Sequence, residues 1–356
     1  MNFSRRLTLT SLITLGALSF APASWAQEQT DFKVAWSIYV GWMPWGYAAD
    51  AGIVDKWADK YGISIEVTQF NDYVESLNQY TAGGYDAVTV TNMDALSIPA
   101  AGGVDTTAVI VGDFSDGNDA VFLKDTADLA DIAGRDVYLV EYSVSHYLLA
   151  RALDSIGLSE RDVKVINTAD PDMVGAFQTP DVGAMVTWNP MVSEIATLPD
   201  AQKVFDSAQI SGEIIDLMVA NTDVVKVNPD FGKALAGIWY ETAALMTSDT
   251  AEGAAARAAM GAASGTDQAG FEDQMAATKL FADPSEAVAF TSSADLGATM
   301  DLVRSFLFDK GLLTPGATSP DAIGIELPDG TVLGDAANTK FRFDNTYMQM
   351  AADGAL

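Results

Sequence analysis

The 356-residue chain contains no cysteine and a single histidine, His146. The first absence excludes disulfides, a lipid-anchored cysteine, thiol catalysis and thiolate metal sites. One histidine without an H-E-x-x-H pair leaves no basis for a transition-metal centre. Positive charge is scarce as well, with 19 Lys and Arg against 49 Asp and Glu and a formal net charge of −30. Such a chain repels nucleic acid and anionic lipid. Glycine-rich phosphate loops after a strand and a G-x-S-x-G elbow are also missing, which removes nucleotide binding and serine-hydrolase chemistry. The carboxylates are many, but no spacing marks two of them as an acid/base pair. The expectation is a chain that is not an enzyme and carries no catalytic residue, cofactor or metal.

What is present starts with a targeting segment. Arg5 and Arg6 precede an apolar stretch from Leu7 to Phe20 and a small-residue cleavage site at Ser24-Trp25-Ala26. This reads as a signal peptide over residues 1–26, exporting a mature chain that begins at Gln27. The Arg5-Arg6 pair also admits twin-arginine export. Losing both arginines would take the formal charge from −30 to −32. No later apolar run is long enough to span a membrane. Hydrophobic residues make up 49% of the chain, and the acid is spread thinly. That argues against disorder and for a folded domain with a solvated acidic surface. The surface favours cationic ligands until salt screens it beyond about 8–10 Å.

Strand and helix signals alternate along the mature chain. Strands are expected at Phe32–Ser37, Ile63–Gln69, Asp86–Thr91 and Thr106–Val111, with helices at Trp45–Tyr61, Tyr73–Ala82 and from Asn92 into Ala101. This βαβ pattern predicts a parallel, doubly wound sheet. Asp113–Asn118 breaks the pattern and reads as a crossover into a second α/β set, which returns through Ser211-Gly212-Glu213. From Pro229 onward the chain reads as mostly helical. The expected architecture is therefore α/β, with two doubly wound domains, a hinge and an interdomain cleft. Residues 27–112 and 213–356 form domain I, and 113–212 form domain II.

Five aromatics, Trp36, Tyr39, Trp42, Trp45 and Tyr47, fall within twelve residues and are interleaved with Gly and Pro. Ligands of α/β folds bind at strand ends, so this cluster reads as a pocket wall as well as core. Ring faces suit a flat or cationic molecule. Three further strand ends carry polar or aromatic residues. At Thr91-Asn92-Met93-Asp94, Asn92 or Asp94 caps the next helix and leaves the other for a ligand. At Glu141–His146, Glu141 offers a carboxylate, while Ser143 and Ser145 offer hydroxyls at a helix N-terminus. The alternative for Glu141 is a helix-dipole role, and His146 is expected to be structural or capping. At Thr187-Trp188-Asn189-Pro190, Trp188 is a wall ring or a core ring. Asp113 and Asp216 close the set of acidic candidates, and the only basic residue near these loops is Lys33, inside the first strand.

These landmarks resemble the nitrate/taurine-type binding proteins of ABC importers. The resemblance is carried by Trp36–Tyr47, the Asp86–Asn92 strand end, Ser145-His146-Tyr147-Leu148-Leu149 and Trp188-Asn189-Pro190. It implies a type II periplasmic binding protein: a soluble, monomeric, periplasmic protein that takes a small solute between its domains and delivers it to an ABC permease. Trp-Ser-Ile-Tyr-Val-Gly-Trp-Met-Pro-Trp-Gly-Tyr is similar to the subgroup encoded beside urea carboxylase-type enzymes, which implies guanidine or urea as ligand. Carboxylates in the plane of guanidinium, with rings above and below, suit it best. Urea ranks second, and a nitrate or sulfonate anion, which would want Arg or Lys, ranks last. The same fold hosts thiamine-pyrimidine synthesis enzymes. Those are intracellular and use a Cys-rich motif, against which the export segment and the absence of Cys both weigh.

Overall fold

The structure, a computed structural model, describes residues 29–356. The expected signal peptide and the start at Gln27 lie outside the described residues. Strands β1 (Asp31–Ser37), β2 (Ser64–Phe70), β3 (Ala87–Thr91) and β4 (Thr106–Ser115) open the first lobe. The chain then crosses through 116–118 and builds β5 (Asp119–Lys124), β6 (Asp136–Leu139), β7 (Lys164–Asn167), β8 (Ala184–Trp188) and β9 (Ala201–Asp206). It returns through 207–214 into β10 (Ile215–Asn221). Four short strands follow: β11 (Thr278–Leu280), β12 (Gly324–Glu326), β13 (Val332–Leu333) and β14 (Thr339–Phe343). Among the described residues these strands form a nine-stranded sheet, ordered β13-β12-β14-β4-β10-β3-β1-β2 with β11 on the far end of β4, and a five-stranded sheet ordered β7-β6-β8-β5-β9. Both are packed by helices, giving two α/β lobes joined by two crossings.

The first three strands run parallel, as the βαβ pattern requires. The expectation of wholly parallel sheets does not hold elsewhere. β10 lies antiparallel between β3 and β4, and β5 lies antiparallel between β8 and β9. The reason is topological. A strand that enters a sheet by crossing from the other lobe arrives at the opposite end from one fed by a local helix. The crossover also lies later than expected: β4 continues through Asp113 to Ser115, so Asp113 is a strand residue paired with Asp216.

Two further differences are local. The helix expected over Trp45–Tyr61 is two helices, α1 (Met43–Asp50) and α2 (Ile53–Tyr61), split at Gly52, which has φ 74°. A left-handed φ is where glycine is favoured and a helix cannot continue. α3 (Tyr73–Thr81) follows the expectation and is capped by Asp72. Beyond Pro229 the long helices are present, but β11–β14 were not legible. Each is short and only partly buried, so no two-residue alternation stands out. Among the described residues no helix is long and apolar enough to cross a membrane.

The helix Pro229–Met246 packs across the sheet, with Phe231 stacked on Phe32 at 4.2 Å and Trp239 against Trp45 at 6.2 Å. Gly237 lets the Trp57 ring lie on this helix, because a Cβ there would overlap the indole. Helix propensity alone favours Gly237→Ala by about 1 kcal/mol. Overpacking against a ring opposes it by about 1–3 kcal/mol. Gly237→Ala is therefore expected to lower the urea midpoint at unchanged slope; a raised midpoint would show that the Trp57 contact is soft.

Candidate ligand cavity

The turn after β1 is built from Tyr39 to Met43. The N–H groups of Trp42 and Met43 both donate to the Tyr39 carbonyl, at 2.8 and 3.0 Å, and Pro44 sets the φ for the start of α1. This turn aims Tyr39 and Trp42 inward. Tyr73 arrives from the first turn of α3, and Trp188 from the end of β8 in the second sheet. The four rings form a continuous wall: Tyr39–Trp42 edge-on at 5.2 Å, Trp42–Tyr73 tilted at 5.4 Å and Tyr73–Trp188 edge-on at 5.9 Å. With Thr91, Asp119, Val144, Ile214 and Asp216 they enclose a cavity between the lobes that leaves about 10 Å³ for the centre of a water molecule. That is room for about one water.

Four aspartates surround it, and all are buried. Asp216 and Asp119 line the cavity itself. Asp113 stands behind Tyr39, whose hydroxyl donates to its Oδ1 at 3.3 Å. Gly41 makes room for it, since a Cβ there would overlap Asp113 Oδ2. Asp94 sits below Tyr73 and accepts from the Tyr73 hydroxyl at 2.8 Å, the Thr91 hydroxyl at 3.0 Å and the Val144 N–H at 3.4 Å. Asp94 Oδ1, Asp113 Oδ2, Asp216 Oδ2 and Trp42 Nε1 are buried without a protein partner. Among the described residues no Lys, Arg or His lines this cavity.

The electrostatics follow from burial without a counter-cation. Desolvation raises Asp94 to about 6, against the pull of hydrogen bonds from Tyr73 and Thr91. Desolvation raises Asp113 to about 7 and Asp119 to about 7. Asp216 goes well above the carboxylate range, through burial and then the charges of Asp113 and Asp119. Tyr39 and Tyr73 are pushed up by burial and by these same carboxylates, so both remain hydroxyl donors.

The structure brings together Tyr39, Trp42, Asp94, Trp188 and Asp216 of the residues singled out from sequence, with Asp113 beside them. It places the others elsewhere. Trp36 is buried in β1, where its ring packs on Gly46 and borders a separate apolar hollow with Tyr47 and Met260. Asn92 ties lobe elements together, donating to the Glu213 carbonyl at 3.1 Å and accepting from the Ile215 N–H at 3.1 Å. Neither Asn92 nor Asp94 caps the short helix α4 (Asn92–Ala95). Thr91 does, because its hydroxyl is one residue nearer the helix start and reaches the Asp94 N–H. Ser143 caps α5 (Val144–Ser155), and Ser145, in its first turn, is buried with its hydroxyl unpartnered. Glu141 is half-buried outside the cavity, beside the Tyr142 hydroxyl, which it raises. His146 Nδ1 accepts from the Tyr142 N–H at 3.1 Å and so holds this turn. Asp119 and Tyr73 were not singled out. Asp119 is the first residue of β5, and the sequence reading left it between the Asp113–Asn118 crossover and the strand that follows. Tyr73 looks like an ordinary amphipathic-helix ring.

The lobes meet through polar contacts around the cavity. Asp170 of the second lobe accepts from the Tyr73 N–H at 3.2 Å. Tyr147 and Arg151 bind Glu213 at 2.6, 2.8 and 2.9 Å. The lobes meet closely around a small, acidic, ring-walled site.

By sequence the chain matches the NMT1-like family over residues 33–261, more than half its length, and it belongs to that family. It is 23% identical over 186 residues to the taurine-binding periplasmic protein of Escherichia coli K12, which covers 51% of this chain and 57% of that protein. The alkanesulfonate-binding protein of Xanthomonas axonopodis pv. citri, solved with MOPS, superposes with a TM-score of 0.63 at 17% identity, over 78% of this chain and 96% of its own. The periplasmic nitrate-binding protein of Synechocystis PCC 6803 gives 0.57 at 14% identity, over 92% and 99%. These likenesses are of fold.

Asp113 and Asp119 hold protons in the folded state at a pH where the unfolded chain, with carboxyls near 3.9, has released them. Their contribution to stability is therefore full below about pH 4 and is lost as pH rises through about 7. The melting temperature of the ligand-free protein should fall between about pH 4 and pH 7, and Asp119→Asn should flatten that fall. A melting temperature that climbs over this range would contradict the assignment.

Proposed function

We propose that the protein is a periplasmic solute-binding protein of an ABC importer that captures a small planar nitrogen cation, guanidinium, between its lobes. In this reading residues 27–112 and 213–356 act as one domain and 113–212 as the other, hinged at the two crossings. The observation that carries it is the cluster of Asp94, Asp113, Asp119 and Asp216 around an aromatic-walled cavity with no cationic side chain. A buried carboxylate cluster is tolerable when protons or a cation neutralise it. Guanidinium supplies charge, in-plane N–H donors for carboxylates and two faces for rings. Urea has the same shape and is the second reading. Its carbonyl would take a donor such as Trp42 Nε1, which is unpartnered. A sulfonate or nitrate would meet unpaired carboxylate oxygens with no cationic side chain beside them. On that ground we set the ligand of this chain apart from those in the names of its relatives.

Binding is proposed to occur without chemistry, the lobes parting to admit the ligand and closing on it. Export to the periplasm, a monomeric state and delivery to a permease are part of the same proposal.

Calorimetry of the mature protein should show one guanidinium per chain, weaker binding of urea and no heat with taurine or nitrate. Tight taurine binding with none of guanidinium would refute the reading. Asp216→Asn and Asp119→Asn should each weaken guanidinium binding by about 1.5–3 kcal/mol, the worth of a hydrogen bond to a charged group. Trp188→Leu should weaken binding by about 0.5–2 kcal/mol if its ring faces the cation, with little change in the melting temperature of the free protein. A strongly destabilised free protein that keeps its affinity would make Trp188 a core ring, because core truncations cost several kcal/mol.

A further inference from the structure

We infer that the ligand cavity is a cation–proton exchange site: the pair Asp113–Asp216 shares a proton when the cavity holds no cation, and binding of the cation expels that proton to solvent. The inference rests on the ligand reading above and adds the protonation change that must accompany it.

The geometry comes from the crossing strands. Asp113 on β4 and Asp216 on β10 are direct cross-strand partners, at a bulge where the register shifts after Asp216. Both side chains lie on the cavity side, and each has a buried oxygen without a protein partner. The groups facing the pair are Tyr39, from the turn after β1, and Asp119, from β5, with Asp94 of α4 beyond Asp119. None is a cation. On β11, the strand paired with this end of β4, Lys279 turns outward to Glu286 at 2.8 Å. In the return crossing just before β10, Glu213 is held by Arg151 at 2.8 Å. Two adjacent buried carboxylates with no positive neighbour cannot both be ionised. One proton between them satisfies the pair, and the upward shifts of Asp113 and Asp216 agree with that.

A guanidinium ion arrives with its charge and all its protons. When an N–H reaches the shared carboxylates, the O–H bond is lost and the proton leaves to buffer. Two carboxylates are left to face one cation, with Tyr39 still donating to Asp113. The site gains a negative charge as it gains the cation, so its net charge does not change. A neutral ligand such as urea binds with the proton retained. The ambient pH therefore tunes the affinity for a cation and separates it from that for a neutral analogue of the same shape.

The test is titration calorimetry of the mature protein with guanidinium chloride near pH 6.5, in buffers of different ionisation enthalpy. The dependence of the observed heat on buffer enthalpy counts the protons. The expected result is about one proton released per guanidinium, none with urea, and a dissociation constant that tightens as pH rises, by up to tenfold per pH unit while the pair still holds its proton. Asp216→Asn removes the partner for the shared proton and should lower the number released. Infrared difference spectra of the unaltered protein give a second readout, in which guanidinium should abolish a protonated-carboxyl band. Guanidinium that binds with no proton release and leaves that band unchanged overturns the exchange and leaves the ligand reading intact. No guanidinium heat at any pH overturns both.

Discussion

The structure turns on a charge imbalance: Asp94, Asp113, Asp119 and Asp216 are withdrawn from water together, with no lysine, arginine or histidine lining the space among the described residues. Removing a carboxylate from water costs several kcal/mol even after relaxation. Partial compensation is local. Asp94 takes hydrogen bonds from Tyr73, Thr91 and Val144, and Asp113 takes one from Tyr39. Asp216 and the second oxygens of Asp94 and Asp113 are left over. A fold that keeps such a cluster has assigned it to something outside the chain, either a proton or a cation. The ring walls serve the same end, since π-faces attract positive charge and the apolar surroundings strengthen every interaction inside.

The two-lobed topology is what makes such a cluster possible. Neither lobe alone could bury it. Asp113 and Asp216 come from strands of the first sheet, whereas Asp119 and Trp188 are paired in the second, opposite each other in the β5–β8 register. The charges are brought around one cavity only when the lobes meet. The contacts that hold them together are polar and peripheral, as with Asp170 on the Tyr73 N–H and Arg151 on Glu213. Interfaces of that kind favour relative motion over a fused core. The cavity is narrow where the lobes meet, so a solute larger than water would need the lobes to part.

Much of this was legible in the sequence, and the parts that were not share a physical cause. The alternation of strand and helix, the aromatic turn after β1 and the acidic strand ends were visible because they are local patterns. Tyr39, Trp42, Asp94, Trp188 and Asp216 emerged from that reading. Trp36 did not reach the cavity, because successive residues of a strand point to opposite faces and its parity sends it toward Gly46. Glu141 was a strand-end carboxylate like the others. It differs only in that the turn through Tyr142, at φ 67°, carries it outward. Asp119 and Tyr73 belong to the site through pairings between distant segments, and no single-sequence pattern reports those.

The same nonlocality explains why charge counting could not find the site. Among 49 acidic residues, these four have no distinguishing spacing. Their distinction is burial, which depends on Gly41 leaving space for Asp113, on the β4–β10 bulge aligning two carboxylates, and on β5 beginning at Asp119 where the chain leaves the crossing. The surface charge and the buried charge also act at different ranges. Surface acid attracts any cation and fades within a Debye length. The buried set acts where screening is weak, and any preference it has is set by shape and hydrogen-bond direction. The four aspartates are set around rings rather than around a point.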